Sequence, residues 1–90
     1  MIKTYIFSYL NNYFFVRRED KNLYIATPTT NFTFKPIDFL IDLDKDKQEE
    51  TNNKIKTLKE YMNNLKDDKE IDEYLKKEME SIGFLFQGMR

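Results

Sequence analysis

The stretch TYIFSYLNNYFFVRR, Thr4 to Arg18, decides how the rest of this 90-residue chain is read. Two runs rich in aromatic and branched residues, Thr4 to Leu10 and Tyr13 to Arg18, flank Asn11 and Asn12. Asparagine tolerates the positive φ values that a two-residue hairpin turn demands, so the stretch predicts two antiparallel strands. A turn at Asn11-Asn12 sets Leu10 opposite Tyr13, Tyr9 opposite Phe14 and Phe7 opposite Val16. Side chains alternate along a strand. One face therefore carries Tyr5, Phe7, Tyr9, Phe14 and Val16, and the other carries Thr4, Ile6, Ser8, Leu10, Tyr13, Phe15 and Arg17.

Downstream, a turn around Asp20-Lys21 leads into Leu23 to Thr27, with Arg18 opposite Leu23 and Val16 opposite Ile25. Leu23 and Ile25 join the apolar face; Tyr24 and Ala26 join the mixed one. Pro28 ends this strand because it lacks a ladder donor. From Asn31 to Leu43 two periodicities compete. Phe32, Phe34, Phe39, Ile41 and Leu43 alternate as in a strand, while Ile37, Leu40 and Ile41 are spaced as in a helix after Pro36. A short fourth strand near Phe32 to Lys35 followed by a turn of helix is the preferred reading.

The chain divides near Leu43. Residues 1–43 hold ten of the fourteen aromatics and read as sheet; residues 44–90 read as helix. Ile55, Leu58, Tyr61, Met62 and Leu65 fall at helical intervals, and so do Ile71, Tyr74, Leu75, Met79 and Ile82. Asp67 is placed to cap the second helix, with Glu70 at capping-box spacing, and Gly83 fits the residue past its end, with Phe84 folding back on the last turn. Lys45 to Lys54 has no apolar residue, so a helix there projects into solvent or begins late. The expectation is a single domain over residues 1–90 of α+β class. An antiparallel meander of three to four strands precedes a two-helix hairpin packed on one sheet face.

Composition narrows the chemistry. The chain has no Cys and no His, which removes disulfides, thiolate nucleophiles, Cys-ligated metals and the side chain best suited to neutral-pH proton transfer. The only glycines, Gly83 and Gly88, lie beside the C-terminus, so no phosphate-cradling loop is available. The acids of the second half alternate with Lys and read as a solvated face, neither a catalytic pair nor a mimic of DNA. Asp42, Asp44 and Asp46 resemble the start of a calcium loop. The pattern then fails, with Lys47 where a tight turn wants Gly and Asn53 where a bidentate Glu is needed. No enzyme activity, metal or cofactor is expected.

Fifteen Lys plus Arg against sixteen Asp plus Glu leave a net charge of −1, so any nucleic-acid binding needs a local patch. Arg17, Arg18, Lys21 and Lys35, beside Phe14, Phe15 and Tyr24, are the candidates. Nothing approaches the ~20 apolar residues that span a bilayer, and no targeting segment is visible, so a cytoplasmic location is the default expectation. The bias toward Lys, Asn, Ile, Phe and Tyr is that of an AT-rich genome, which suggests a low-GC bacterium or one of its phages or plasmids.

The mixed sheet face is rich in residue types that dominate protein interfaces, and Tyr13, Phe15, Arg17 and Tyr24 are its expected partner-binding residues. Its competing fate is to be covered from within, by Phe84-Leu85-Phe86 or by residues 32–43. The expected function is a small protein-binding inhibitor, encoded by a phage or other mobile element, that occludes a host protein. Anti-CRISPR and other defence-inhibitor proteins are like it in size and composition alone. A small nucleic-acid-binding regulator, a structural or oligomerising subunit, and a homodimer through the same face are the alternatives.

Overall fold

The first hairpin alternates so that one of its faces is aromatic and aliphatic, and that alternation organises the observed sheet. The computed structural model describes residues 2–42, 45–64 and 67–90, with Ile41 and Asp42 described by backbone alone. β1 (Ile2–Tyr9), β2 (Asn12–Glu19), β3 (Asn22–Ala26), β4 (Lys35–Pro36) and β5 (Leu85–Met89) form one antiparallel sheet in the order β4-β3-β2-β1-β5. Two helices, α1 (Gln48–Asn64) and α2 (Asp68–Ser81), pack on one side of it. The α+β class is as expected, but the described residues form five strands.

The first turn differs from expectation by one residue. Leu10 (φ 49°) and Asn11 (φ 66°) are the left-handed turn residues, Asn12 belongs to β2, and Tyr9 faces Asn12, Phe7 faces Phe14 and Tyr5 faces Val16. A leucine in that conformation costs about 1–2 kcal/mol. In return both eight-residue strands pair over their whole length, Ile2 with Glu19, where the expected register leaves Ile2 and Lys3 against the next turn. The correction moves every pair by two residues. Face membership survives for the residues that stay in the strands, because two is the period of the strand, whereas Leu10, expected on the mixed face, lies in the turn. The second hairpin matches the expected register, with Arg18 opposite Leu23 and Val16 opposite Ile25.

After β3 the expected strand at residues 32–35 shortens to Lys35–Pro36. Thr27 caps a 3₁₀ turn at Pro28–Thr30, reciprocally bonded to Thr30, and Asn31 and Phe32 then both take positive φ (54° and 56°). Two successive left-handed residues reverse the chain and cannot lie in a strand. The helical spacing wins in the next segment. Ile37–Asp42 is a 3₁₀ helix with Ile37 and Leu40 buried and Phe39 about half exposed.

Ile55, Leu58 and Met62 of α1 and Ile71, Leu75 and Met79 of α2 are buried against the sheet residues Tyr5, Phe7, Phe14, Val16, Leu23 and Ile25. Lys54 reaches Glu78 (3.5 Å) and Tyr61 stacks on Tyr74 (4.0 Å), so the two helices run antiparallel. Leu65, expected to close the α1 stripe, lies outside the described residues. Asp67 accepts a hydrogen bond from the Lys69 backbone N–H (2.9 Å) as the α2 cap. At the other end Gly83 (φ 101°) takes the left-handed position, and the Phe84 and Gly83 N–H groups return to the Met79 and Glu80 carbonyls. This Schellman pattern turns the chain back toward the sheet.

The C-terminal segment corrects the division at Leu43: residues 85–89 are strand, laid on the free edge of β1. Phe84 and Phe86 enter the helix side, where Phe84 stacks on Tyr9 (4.5 Å) and Phe86 meets Phe7 edge-on (5.7 Å). They do not cover the mixed face. Phe84, Leu85 and Phe86 are legible in the sequence as apolar, but nothing local tells a strand that extends a sheet edge from one that crosses a sheet face.

Candidate functional site: the sheet face opposite the helices

With both helices on one side, the described residues form no layer over the other face of the sheet. Strand alternation places Ile2, Thr4, Ile6 and Ser8 of β1 there, with Tyr13, Phe15, Arg17 and Glu19 of β2, Tyr24 and Ala26 of β3, and Leu85 of β5. All four residues expected to bind a partner thus share one face. Tyr13 is 59% exposed, whereas Phe15, Arg17 and Tyr24 are half-buried.

Their partial burial comes from the chain after the 3₁₀ turn at Pro28–Thr30. Phe32 meets Phe15 edge-on at 5.9 Å, and the Phe34 ring lies 3.9 Å beneath the Arg17 guanidinium. Phe34 and Arg17 stand on either side of β3, and Ala26, the smallest apolar side chain available, lets them meet across it. Ala26 is itself 1% exposed. Covering by residues 32–43 is therefore real but local: it positions Phe15 and Arg17 without closing the face. Ile2, Tyr13, Phe32 and Leu85 stay between 51% and 62% exposed. Phe32, Phe34 and Leu85 were not among the expected site residues. Their signal in the sequence was apolar identity alone, and their placement depends on the left-handed pair at residues 31–32 and on the docking of β5.

Arg17 has no hydrogen bond or ion pair among the described residues, and its Nε is buried without an acceptor. Arg18, one residue on, points the other way. It is 4% exposed; its Nε donates to the Tyr5 hydroxyl (3.2 Å), one terminal nitrogen to the Asp20 carbonyl (3.2 Å), and the other to Asp68 (3.1 Å), with Asp72 at 3.6 Å. The Tyr5 hydroxyl donates to Asp72, whose second oxygen accepts from Lys3 (2.9 Å). Burial pushes the Tyr5 phenol well above its usual range, and the Asp72 carboxylate adds to this. For Asp72 burial acts upward, but the bonds from Tyr5 and Lys3 and the charges of Lys3 and Arg18 outweigh it and hold the carboxyl below its ordinary value. This seam ties β1 and β2 to the start of α2.

The cations expected to form a nucleic-acid patch are not brought together. Arg17 lies on the outer face, Arg18 in the seam, and Lys35, paired with Ile25, on the helix side of β4. Lys21 donates to the Asn63 carbonyl at the end of α1 (2.8 Å).

Two clefts flank the sheet. One of about 370 Å³ lies between Tyr24, Pro36, Asp38, Lys59 and Asn63, with its Lys59 already paired to Asp38 (2.7 Å). The other, about 320 Å³, lies between Tyr9, Leu10, Phe14, Pro28 and Lys45. Of the acidic loop Asp42 to Asp46, Leu43, Asp44 and the Asp42 side chain lie outside the described residues. Among the described residues no three His, Cys, Asp or Glu cluster as a metal site would need. No described helix is long and apolar enough to cross a membrane. No family model matches the chain, nor does any curated protein or any solved structure. The outer face is the site these observations bring forward.

Proposed function

We propose that this chain is a non-catalytic protein-binding module whose outer sheet face docks on another protein and occludes it. One observation carries the reading. In a chain of which 34% is charged, the strand residues of that face include only two charges, Arg17 and Glu19, among aromatic and aliphatic side chains. Depletion of charge with enrichment of Tyr, Phe and Arg is the compositional mark of an interface core. Size agrees. The molecule measures 32 × 27 × 20 Å, and a broad face of such a body is on the scale of the ~800 Å² that each partner contributes to a standard interface.

The absence of His and Cys supports a binding role over a catalytic one. Occlusion of a host protein, in the manner of a phage-encoded defence inhibitor of the anti-CRISPR kind, is the form of this role we propose. A photo-crosslinking residue at Tyr13 should capture one defined protein from cells of the host, while the same residue at Thr57, exposed on α1, should not. Equal capture from both positions, or capture from Thr57 alone, overturns the outer face as the docking surface.

A further inference from the structure

We infer that the partner presents a carboxylate to Arg17, set among apolar side chains that pack on Tyr13, Phe15 and Phe32. The inference rests on the docking role of the outer face and names the chemistry of what docks there.

The Arg17 guanidinium sits over the Phe34 ring, its Cζ 3.9 Å from the ring centroid, a contact that orients it and removes part of its water. Its Nε is buried with no acceptor, and its terminal nitrogens donate to nothing among the described residues. A polar group left without an acceptor is disfavoured and calls for an explanation. Glu19 is two residues along the same strand and face, yet the two form no ion pair. The fold thus keeps an oriented cation in an apolar setting where it supplies no acceptor of its own. A partner carboxylate supplies an acceptor to the terminal nitrogens, with the charge-assisted, two-point geometry that suits arginine.

A second cation lies in the same transverse row. Thr4 pairs with Arg17 on one side, and on the other its backbone exchanges hydrogen bonds with Arg90 (2.8 and 3.4 Å). Alternation puts Tyr24, Arg17, Thr4 and Arg90 side by side across the face. Two arginines against one glutamate favour an acidic visitor. They do not form the track of many cations that a phosphate backbone requires, since nucleic-acid binders commonly neutralise some 6–10 phosphates. The observations therefore favour a protein carboxylate over a nucleic acid.

The test is selection of a displayed random peptide library on the folded 90-residue chain. Selected peptides should carry Asp or Glu next to an aromatic or aliphatic residue. Changing that acid to its amide, which leaves the protein untouched, should weaken binding by about tenfold to a hundredfold, the worth of one charge-assisted hydrogen-bonded pair. Arg17→Gln should match that loss, Arg17→Lys should recover part of it, and Lys56→Gln on α1 should change nothing. If Arg17→Gln disturbs folding, the acid-to-amide change in the peptide decides alone. Peptides without an acid that require Tyr13 and Phe15 overturn the carboxylate inference and leave the docking face standing. Peptides that bind the helices overturn both. A single-stranded oligonucleotide that binds more tightly than any peptide, and is lost with Arg17→Gln, overturns the carboxylate in favour of phosphate.

Discussion

Arg17 and Arg18 are neighbours on one strand, yet their surroundings have almost nothing in common. Arg18 faces the helices, is 4% exposed and has Tyr5, Asp20, Asp68 and Asp72 around it. Arg17 faces outward, rests on one aromatic ring and bonds to nothing among the described residues. The alternation of β2 divides two identical side chains between the half of the molecule that holds the fold and the half that the fold leaves unused. The inner face should then account for stability and the outer face for binding, and substitutions on the two sides should separate these properties.

The largest effects are expected deepest on the inner side. Leu58 and Leu75 are 2% and 0% exposed and join the helices to the sheet. Leu58→Ala or Leu75→Ala should destabilise by about 2–5 kcal/mol in denaturant titration, from lost apolar transfer and the cavity left behind. A loss of only a few tenths at both positions would break the comparison at its base, because the helical layer would then not be what the sheet folds against.

Next comes the seam itself. Arg18→Met keeps much of the buried stem but leaves Asp72 with only Lys3 and the Tyr5 hydroxyl, and Tyr5 without its donor. Removing one partner of a buried pair costs about 3–5 kcal/mol when both are fully enclosed. Asp68 is 47% exposed and Lys3 still serves Asp72, so a loss nearer ~2 kcal/mol is expected. Arg17→Met should cost well under half as much. Equal losses would show that the two arginines play one structural role.

The inner face was the more legible of the two, for a physical reason. Periods of two and 3.6 residues placed Tyr5, Phe7, Phe14, Val16, Leu58 and Leu75 correctly without knowledge of the turns, since a one-residue error in placing a two-residue turn shifts the register by two and preserves the face. What periodicity could not supply was anything set by backbone handedness or by contacts distant in sequence. The left-handed pair Asn31-Phe32 truncated the fourth strand and carried Phe32 to Phe15, and the return of Leu85–Met89 to β1 joins the two ends of the chain. Both decide what the outer face looks like. The four expected binding residues were placed together correctly, while the ring beneath Arg17 was missed.

A smaller effect should appear with pH. Asp72 titrates below its unfolded-state value of 3.8, so its contribution is present above that pH and is lost as the solution is acidified through its folded-state value. Tyr5 has the opposite sign: its phenol holds its proton more tightly when folded, so that contribution is complete below pH 10.0 and declines above it. Stability should be flat through neutrality and fall at both extremes, and Asp72→Asn should flatten the acid limb. An acid limb unchanged in Asp72→Asn would place the titrating group elsewhere and weaken the account of the seam.

The smallest expected change in folding is at the most exposed anchor. Tyr13 is 59% exposed and projects from β2 into solvent, so Tyr13→Ala should alter stability by less than about 0.5 kcal/mol, as surface substitutions usually do. Phe15→Ala should cost more, about 1 kcal/mol, because it releases the edge-on contact with Phe32. In binding the ranking reverses. Truncating an aromatic anchor at the centre of an interface commonly costs about 2 kcal/mol or more, roughly a thirtyfold loss of affinity. Tyr13→Ala should therefore unfold at nearly the same denaturant concentration as the parent and lose capture of the protein crosslinked from position 13. A variant that loses both folding and capture would make Tyr13 part of the core despite its exposure. One that loses neither would move the docking surface off the outer face and leave the solvent side of α1 and α2 as the next surface to probe.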